Sequence, residues 1–231
     1  TTEIYTLSLH DALPICTNNV FPFMIEGTVA GLAAGLVASG KVPLEEGTFK
    51  STLLEVVSEG GILDIAIVDA VVCDDIFIGS RAVWRMDTVR QIFLNRANPA
   101  SIGFSAIGGM LRAIAPEEPL GMHLALGKNG GTVTAPVAPG VFEAVGVERA
   151  ALMAPGEEMV IRFDPCVVAL DGERELEIGK GRKAAVRISA DGPVVVDPFC
   201  TLACAGKKGI FAPGFNLLRD GGWKSDALQT N

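Results

Sequence analysis

The chain has 231 residues, and 49% of them are hydrophobic, so it can bury a core and form one domain or at most two. The formal charge of -8 argues against nucleic acid and anionic membrane surfaces as partners, because both attract concentrated Lys and Arg. We therefore expect a small molecule or another protein as the partner, with no nucleic acid and no membrane.

The five cysteines, at positions 16, 73, 166, 200 and 204, form no Cys-x-x-Cys pair, and the chain has only two histidines. That set is too sparse to predict a metal site. Cys200 and Cys204 lie four residues apart and could share a helix face, where a core or interface role is favoured over a ligand or redox role. With no export signal visible, we expect reduced thiols and a cytoplasmic location.

Residues 1–16 differ from the rest of the chain. They contain the only Tyr and one of the two His, and they lack the basic start and cleavage pattern of a signal peptide. The segment resembles translated sequencing-adapter read-through. We predict that it is non-native, with a native N-terminal strand as the alternative, and assign no site to it.

An Ala-, Leu- and Gly-rich stretch predicts a leading helix at residues 25–40. Gly27, Gly31 and Gly35 recur along one helical face, and small residues at that spacing let another backbone approach closely. The apolar run is shorter than the about 20 residues of a membrane span. We expect this helix to pack against a sheet or a subunit neighbour.

Short β-type runs separated by Gly and Pro turns follow the helix. They predict strands at residues 52–57, 62–72, 76–78, 132–137, 158–163, 167–170 and 184–188. Such a pattern favours a sandwich or open barrel over βαβ units. Residues 86–96 place Val89, Ile92 and Phe93 on one face with charges opposite, which predicts one surface helix. Residues 212–231 show no period and are predicted to be a loose tail.

Common catalytic motifs are absent from this sequence: it has no Walker-type phosphate loop, no G-x-G-x-x-G and no G-x-S-x-G. His123 lies in a mostly apolar run, where a structural histidine is favoured over a catalytic one. We therefore assign no catalytic residue.

Residues 17–22 read Thr-Asn-Asn-Val-Phe-Pro and lead into MIEGTVAGLAAG at residues 24–35. This sequence resembles the turn between the two halves of ATP-NAD kinase superfamily proteins, in particular the acetoin-catabolism protein X branch. That turn lies near the bound nucleotides, so the resemblance implies ligand contacts from Asn18 and Asn19, whose amides both donate and accept. A turn chosen only for its backbone geometry is the alternative.

Residues 64–72 (DIAIVDAVV) resemble the strand in which NAD kinases carry an Asn-Glu pair that holds the dinucleotide. Val68 stands in the place of the Asn and Asp69 in the place of the Glu. An Asp in an apolar strand is costly unless it is paired or faces a site, so Asp69 is the strongest single candidate for a ligand contact. The change at Val68 leaves a related nucleotide open as the acceptor.

Residues 98–109 (NPASIGFSAIGG) resemble the Ser- and Gly-containing segment that lines the nucleotide groove of NAD kinases. The resemblance implies ligand contacts from Ser101, Gly103, Phe104 and Ser105. Phe104 replaces a Tyr and can still stack on a base, without the hydroxyl. The alternative is a plain strand turn.

Two further segments match the superfamily in chain order. Residues 133–140 resemble its Thr-Pro-Ile-x-Pro segment. Residues 168–173 resemble an Asp-Gly-Glu hairpin shared with diacylglycerol and sphingosine kinases. Because Asp-Gly between β-type runs is also a plain hairpin signal, Asp171 is predicted to be structural.

The resemblance implies a mainly β chain with a few helices, a β-sandwich like the C-terminal domain of NAD kinases, over residues 17–211. This domain would bind the acceptor in a phosphotransferase that moves phosphate from ATP to NAD or a related nucleotide, and so makes NADP. Nothing here matches the Gly-Gly-Asp-Gly-Thr motif that binds ATP phosphates, so ATP and Mg²⁺ are expected for the complete protein and the fragment alone is expected to be inactive. The superfamily habit implies a homo-oligomer.

Two other functions stay open. The changes at Val68, Ile102 and Phe104 motivate a non-catalytic nucleotide-binding accessory or regulatory protein of acetoin catabolism. The Asp-Gly-Glu hairpin motivates a lipid kinase-like module, which would need a deep apolar acceptor pocket.

Overall fold

The computed structural model describes residues 4–5, 25–74 and 86–214, and it confirms the prediction of a mainly β chain with a few helices. The helices within these ranges are α1 (Gly27–Ala38), α2 (Leu44–Gly47), α3 (Phe104–Leu111) and α4 (Pro198–Lys207). The strands are β1 (Ile4–Tyr5), β2 (Thr48–Lys50), β3 (Leu53–Ser58), β4 (Gly61–Ala66), β5 (Asp69–Cys73), β6 (Val89–Leu94), β7 (Gly121–Ala138), β8 (Val141–Met153), β9 (Glu158–Val160), β10 (Cys166–Leu170), β11 (Arg174–Ile178), β12 (Ala184–Ser189) and β13 (Val194–Val196).

Two antiparallel sheets form a sandwich. One has six strands in the order β11-β10-β5-β6-β7-β8, and the other has four in the order β4-β3-β12-β9. A single buried cluster joins their facing sides, with Val56 and Ile188 from the smaller sheet and Val72, Phe93 and Val168 from the larger. The sandwich core therefore lies between the two sheets.

The opposite side of the six-stranded sheet is covered as well. Its Val71 and Leu94 belong to a second buried cluster with Ala106 and Ile107 of α3. We call this side of the sheet the α3 face. Because β5 and β10 are covered on both sides, β10 and the part of β5 after Asp69 are continuous apolar runs instead of alternating ones.

The surface helix predicted at residues 86–96 is wrong, because these residues form β6 inside the six-stranded sheet. Only Arg90 of the strand is partly exposed. Gln91 is buried as well, and its side chain is bonded to Val160 O at 3.2 Å and to Arg162 N at 2.9 Å. Polar side chains that are buried within the strand thus gave it the mixed composition of an amphipathic helix.

The predicted strand at residues 62–72 is two strands. β4 ends at Ala66 and β5 begins at Asp69, with a bend at Ile67 and Val68 between them. The predicted turn at residues 17–22, with Asn18 and Asn19, and the strand at residues 76–78 lie outside the described residues, as do residues 215–231 of the predicted tail.

The predicted leading helix is confirmed as α1, and Glu26 caps its start by accepting from Thr28 N at 2.8 Å. It packs through Ala30, Ala33, Leu36 and Val37. The glycine face that we expected to pack closely is open in the described structure: a Cβ at Gly31 or Gly35 would meet nothing within 4 Å. At 12 residues, α1 is the longest helix in the described ranges, so none of these helices could cross a bilayer.

A small third sheet, in the order β1-β13-β2, lies outside the sandwich. In it, Ile4–Tyr5 pairs in parallel with Val194–Val195 of β13. The non-native origin of residues 1–16 stays a prediction.

Candidate functional site

A pocket of about 210 Å³ lies between the start of α3 and the turn that joins β7 to β8. Two of the residues predicted from sequence, Gly103 and Phe104, line it. The other lining residues are Met86, Val137, Ala138, Val141 and Glu143. We call this cavity the Phe104 pocket. It is smaller than the about 300–1,000 Å³ typical for a drug-sized ligand, so it suits one ring system better than a whole dinucleotide.

Gly103 fixes the position of α3 relative to the β7–β8 hairpin. It is the residue before the helix, with φ of 87°, a backbone conformation that favours glycine. Its N–H donates to Pro136 O at 2.9 Å. No side chain within the described ranges caps the helix, so the positive end of its dipole lies where Gly103 and Phe104 line the pocket.

The two predicted serines serve the loop that carries Phe104. Ser101 Oγ donates to Asn98 O at 2.6 Å. Ser105 is fully buried, donates to Arg96 O at 3.2 Å and accepts from Asn98 N at 3.1 Å. Neither serine lines the Phe104 pocket. Ligand contact by these hydroxyls stays a prediction, and their observed role is to hold the turn before α3.

Asp69 is the first residue of β5 and is only 1% exposed. Because side chains alternate along a strand, Asp69 shares the α3 face with Val71 and Cys73, both members of the cluster under α3. It does not line the Phe104 pocket. The structure thus brings Asp69 and Phe104 to the same side of the sheet but not into one cavity, and the ligand contact of Asp69 stays a prediction.

Asp171 holds the bend before Asp69 in place. Its carboxylate accepts backbone N–H bonds from Ile67 at 3.0 Å, Val68 at 2.7 Å and Asp69 at 3.2 Å. Asp171 N donates in return to Asp69 O at 2.9 Å. With φ of 54°, Asp171 also forms the turn between β10 and β11. The prediction of a structural role is confirmed.

A buried polar cluster, which the sequence analysis did not predict, connects the bend before Asp69 with the turn before α3. Asn95 Nδ2 donates to Thr52 O at 2.8 Å and to Ile67 O at 3.1 Å. Next to it, Arg96 Nη2 donates to Ser51 Oγ at 2.9 Å, and burial lowers the pKa of Arg96 to about 10. Asn95 thus supports the bend before Asp69, while Arg96 supports Ser105 through its carbonyl. The signal was an Asn-Arg pair directly after an apolar run, hidden by the helix prediction.

His123 is part of the sandwich core. Its ring stacks on Phe93 at a centroid distance of 4.8 Å, and its Nε2 lies 2.9 Å from Gln91 Nε2. Burial lowers the pKa of His123 to about 4, and the positive charges of Arg162 and Arg149 act in the same direction. A neutral, buried and hydrogen-bonded ring agrees with the predicted structural role.

A second, more open groove of about 510 Å³ lies on the four-stranded sheet and contains none of the predicted site residues. Its charges are partly satisfied internally, since Arg187 bonds Glu55 at 2.9 Å and Glu158 at 3.3 Å. Across the ranges that the structure describes, no group of three or more His, Cys, Asp or Glu residues could hold a metal ion.

Glu143 is the charged residue among those that line the pocket, and the sequence analysis did not predict it. The resemblance at residues 133–140 reached Val137 and Ala138 on one side of the pocket, but β8 was not predicted as a strand. Because β8 was not predicted, the alternation that places Val141 and Glu143 on the same side of the strand was not recognised.

Comparison with known proteins gives two matches. The family described as the acetoin catabolism protein X C-terminal domain matches residues 52–191. That range contains both sheets of the sandwich, α3 and the Phe104 pocket. Acetoin catabolism protein X of Cupriavidus necator is 37% identical over 179 residues, which cover 74% of this chain and 50% of the relative. The chain therefore spans about half the length of this curated relative.

Proposed function

The chain belongs to the acetoin catabolism protein X C-terminal domain family, and we propose that it supplies the acceptor pocket of an ATP-NAD kinase-like phosphotransferase. The acceptor is NAD or a related nucleotide, and the role belongs to acetoin catabolism, as the name of the relative suggests. Because the chain spans half of that relative, phosphate transfer belongs to the complete protein. A cytoplasmic homo-oligomer is part of the same proposal.

The Phe104 pocket is the observation that carries this proposal. Its lining includes residues of the two segments, 98–109 and 133–140, that resemble the nucleotide-lining parts of the superfamily, and Gly103 joins these segments through its bond to Pro136. An aromatic side chain in a small and mostly apolar cavity suits a stacked base, a contact worth about 1–3 kcal/mol. The uncapped start of α3 offers backbone donors beside it.

We assign no ATP or Mg²⁺ site to the described residues of this chain. The described residues lack a carboxylate cluster that fits a metal, and the sequence lacks the Gly-Gly-Asp-Gly-Thr motif. When bound to the complete protein, ATP would supply the phosphate and Mg²⁺ would balance its charge. The described residues bind and orient the acceptor, and we assign no catalytic residue among them.

A non-catalytic nucleotide-binding accessory protein is the second candidate. Val68, in the position of the dinucleotide-holding Asn, has an apolar side chain, is buried at 4% exposure, and uses its N–H to bond Asp171 and its carbonyl to bond Asn95 N. The hydroxyls of Ser101 and Ser105 are bonded within their own loop. Few polar side chains are therefore left to orient an acceptor, which would suit binding without transfer.

Calorimetric titration of NAD, NADH and ATP into the 231-residue chain tests the pocket. We expect saturable NAD binding that Phe104→Ala weakens about tenfold, as the loss of one stacked base implies. Phe142→Ala is the matched control, because Phe142 is 69% exposed on the same hairpin and does not line the pocket. Equal NAD affinity for wild type and Phe104→Ala would contradict the proposal.

The two candidates separate in the complete protein. We expect an upstream gene segment that encodes an intact Gly-Gly-Asp-Gly-Thr motif, and ATP-dependent phosphorylation of NAD by the joined halves. Nucleotide binding without turnover, together with an altered motif, would favour the accessory role.

A further inference from the structure

Glu143 occupies a core-facing position of β8. Side chains of a strand alternate between its faces, and Val145 and Val147, two and four residues further on, are buried in the cluster under α3. Phe142, on the opposite side, is 69% exposed. The Glu143 side chain therefore points to the same side as the core, where it lines the Phe104 pocket beside Val141.

The Glu143 carboxylate can accept hydrogen bonds from a ligand. Glu143 is half-buried and lies across the hairpin from Ala135, which is fully buried. Among the residues that the structure describes, no hydrogen bond or ion pair involves its side chain. Its oxygens are therefore available to donors of a ligand that enters the pocket.

The charge also decides which end of a nucleotide enters. A phosphate in the Phe104 pocket would face the Glu143 carboxylate, and like charges at close range repel. An uncharged nucleoside end avoids this conflict. Its ribose hydroxyls can donate to a carboxylate and accept from the backbone N–H groups at the start of α3, which suits both polar sides of the cavity.

We propose that Glu143 is a specificity-determining residue that binds the ribose hydroxyls of the nucleotide, with the base against Phe104 and the phosphates outside the pocket. This inference rests on the proposed nucleotide pocket. It names a contact from β8 that the resemblance at residues 98–109 and 133–140 does not include.

Adenosine, inosine and 2′,3′-dideoxyadenosine, titrated separately into the 231-residue chain, test the contact. We expect wild type to bind adenosine about tenfold more tightly than the dideoxy compound, the usual scale for hydrogen bonds to a charged group. Glu143→Gln should reduce that preference to less than about threefold and leave dideoxyadenosine binding unchanged. Inosine, which lacks the exocyclic amine, should bind wild type like adenosine.

Glu148→Gln serves as the control, since Glu148 lies on the same strand and does not line the pocket. If Phe104→Ala weakens adenosine binding but Glu143→Gln does not, the inference fails and the pocket stands. A wild-type preference for adenosine over inosine that Glu143→Gln abolishes would move the contact to the base and overturn the ribose assignment. If wild type binds no nucleoside, the inference and the proposed function fail together.

Discussion

A single carboxylate, that of Asp171, fixes the bend that leads into β5. It bonds three consecutive backbone N–H groups, and its side chain is only 17% exposed. We predict that Asp171→Ala costs about 3 kcal/mol of unfolding free energy, because it leaves these donors unsatisfied and puts Ala at positive φ. Asp171→Asn keeps one acceptor oxygen and tolerates the backbone, so it should cost about 1 kcal/mol.

Urea unfolding of the two variants measures these costs. Asp191→Asn is the control, since Asp191 is 91% exposed and pairs with Lys50 at the surface. We expect this control within about 0.5 kcal/mol of wild type. An Asp171→Ala variant as stable as the control would show that the carboxylate does not hold the bend.

His123 should make stability depend on pH. Burial lowers its pKa from 6.5 to about 4 in the folded chain, so between these values the unfolded state binds a proton that the folded state does not. Above about pH 6.5, His123 does not change the free energy of unfolding. As the pH drops from about 6.5 to about 4, its contribution lowers the free energy of unfolding by a total of about 3 kcal/mol, and below about pH 4 the contribution is constant.

Comparison with His123→Gln isolates this contribution from that of the carboxylates. The variant can keep a bond to Gln91 but has no titrating ring. We expect urea midpoints of wild type to fall more steeply than those of the variant between pH 6.5 and 4. Parallel curves over that range would contradict a neutral, buried His123.

At the scale of elements, the backbones of β7 and β8 pack closely against each other near a β-bulge. A Cβ at Gly146 would overlap Gly127 O, whereas a Cβ at Gly131 would meet nothing within 4 Å. We predict that Gly146→Ala costs about 1–3 kcal/mol of unfolding free energy, because the obstructing atom is backbone. Gly131→Ala should stay within about 0.5 kcal/mol. Thermal or urea unfolding of the pair checks this, and equal stabilities would refute the close packing.

Short apolar runs bounded by turns could be predicted from the sequence, as with β3, β10 and β12, because local composition and Gly-Pro punctuation determine them. β6 could not, since Gln91 finds its partners on another strand and beyond it. β8 was missed because Glu143 breaks its apolar alternation where the strand meets the pocket. The first error comes from a polar side chain whose partners are distant in sequence, and the second from a charged residue at a core-facing strand position.

The candidate site, like the strands, was predicted only in part from the sequence. Resemblance to a family identified Gly103 and Phe104, which line the pocket, and residues 133–140, which supply part of its other wall. It gave no information about Asn95 and Arg96, whose bonds to Ile67 and Ser51 depend on how the sheets meet. Gly103 and Phe104 belong to a local sequence pattern, whereas the supporting roles of Asn95 and Arg96 are defined by tertiary contacts.

At the scale of the whole molecule, our proposal assigns acceptor binding to the Phe104 pocket of this chain and phosphate donation to the complete protein. We predict that the 231-residue chain shows no ATP-dependent phosphorylation of NAD, because transfer requires donor, metal and acceptor in line. A coupled assay that detects NADP measures this directly. Steady turnover by the chain alone would contradict the division of roles between the two halves.

The central claim is that the Phe104 pocket is where a nucleotide binds. The most direct test is a titration of the ¹⁵N-labelled chain with NAD, followed by NMR of its backbone amides. Nucleotide binding in the Phe104 pocket predicts saturable shifts at Gly103, Phe104 and the Val137–Glu143 turn, with little change at Arg162 and Arg182 of the open groove. Shifts confined to the open groove, or no shifts at all, would contradict it.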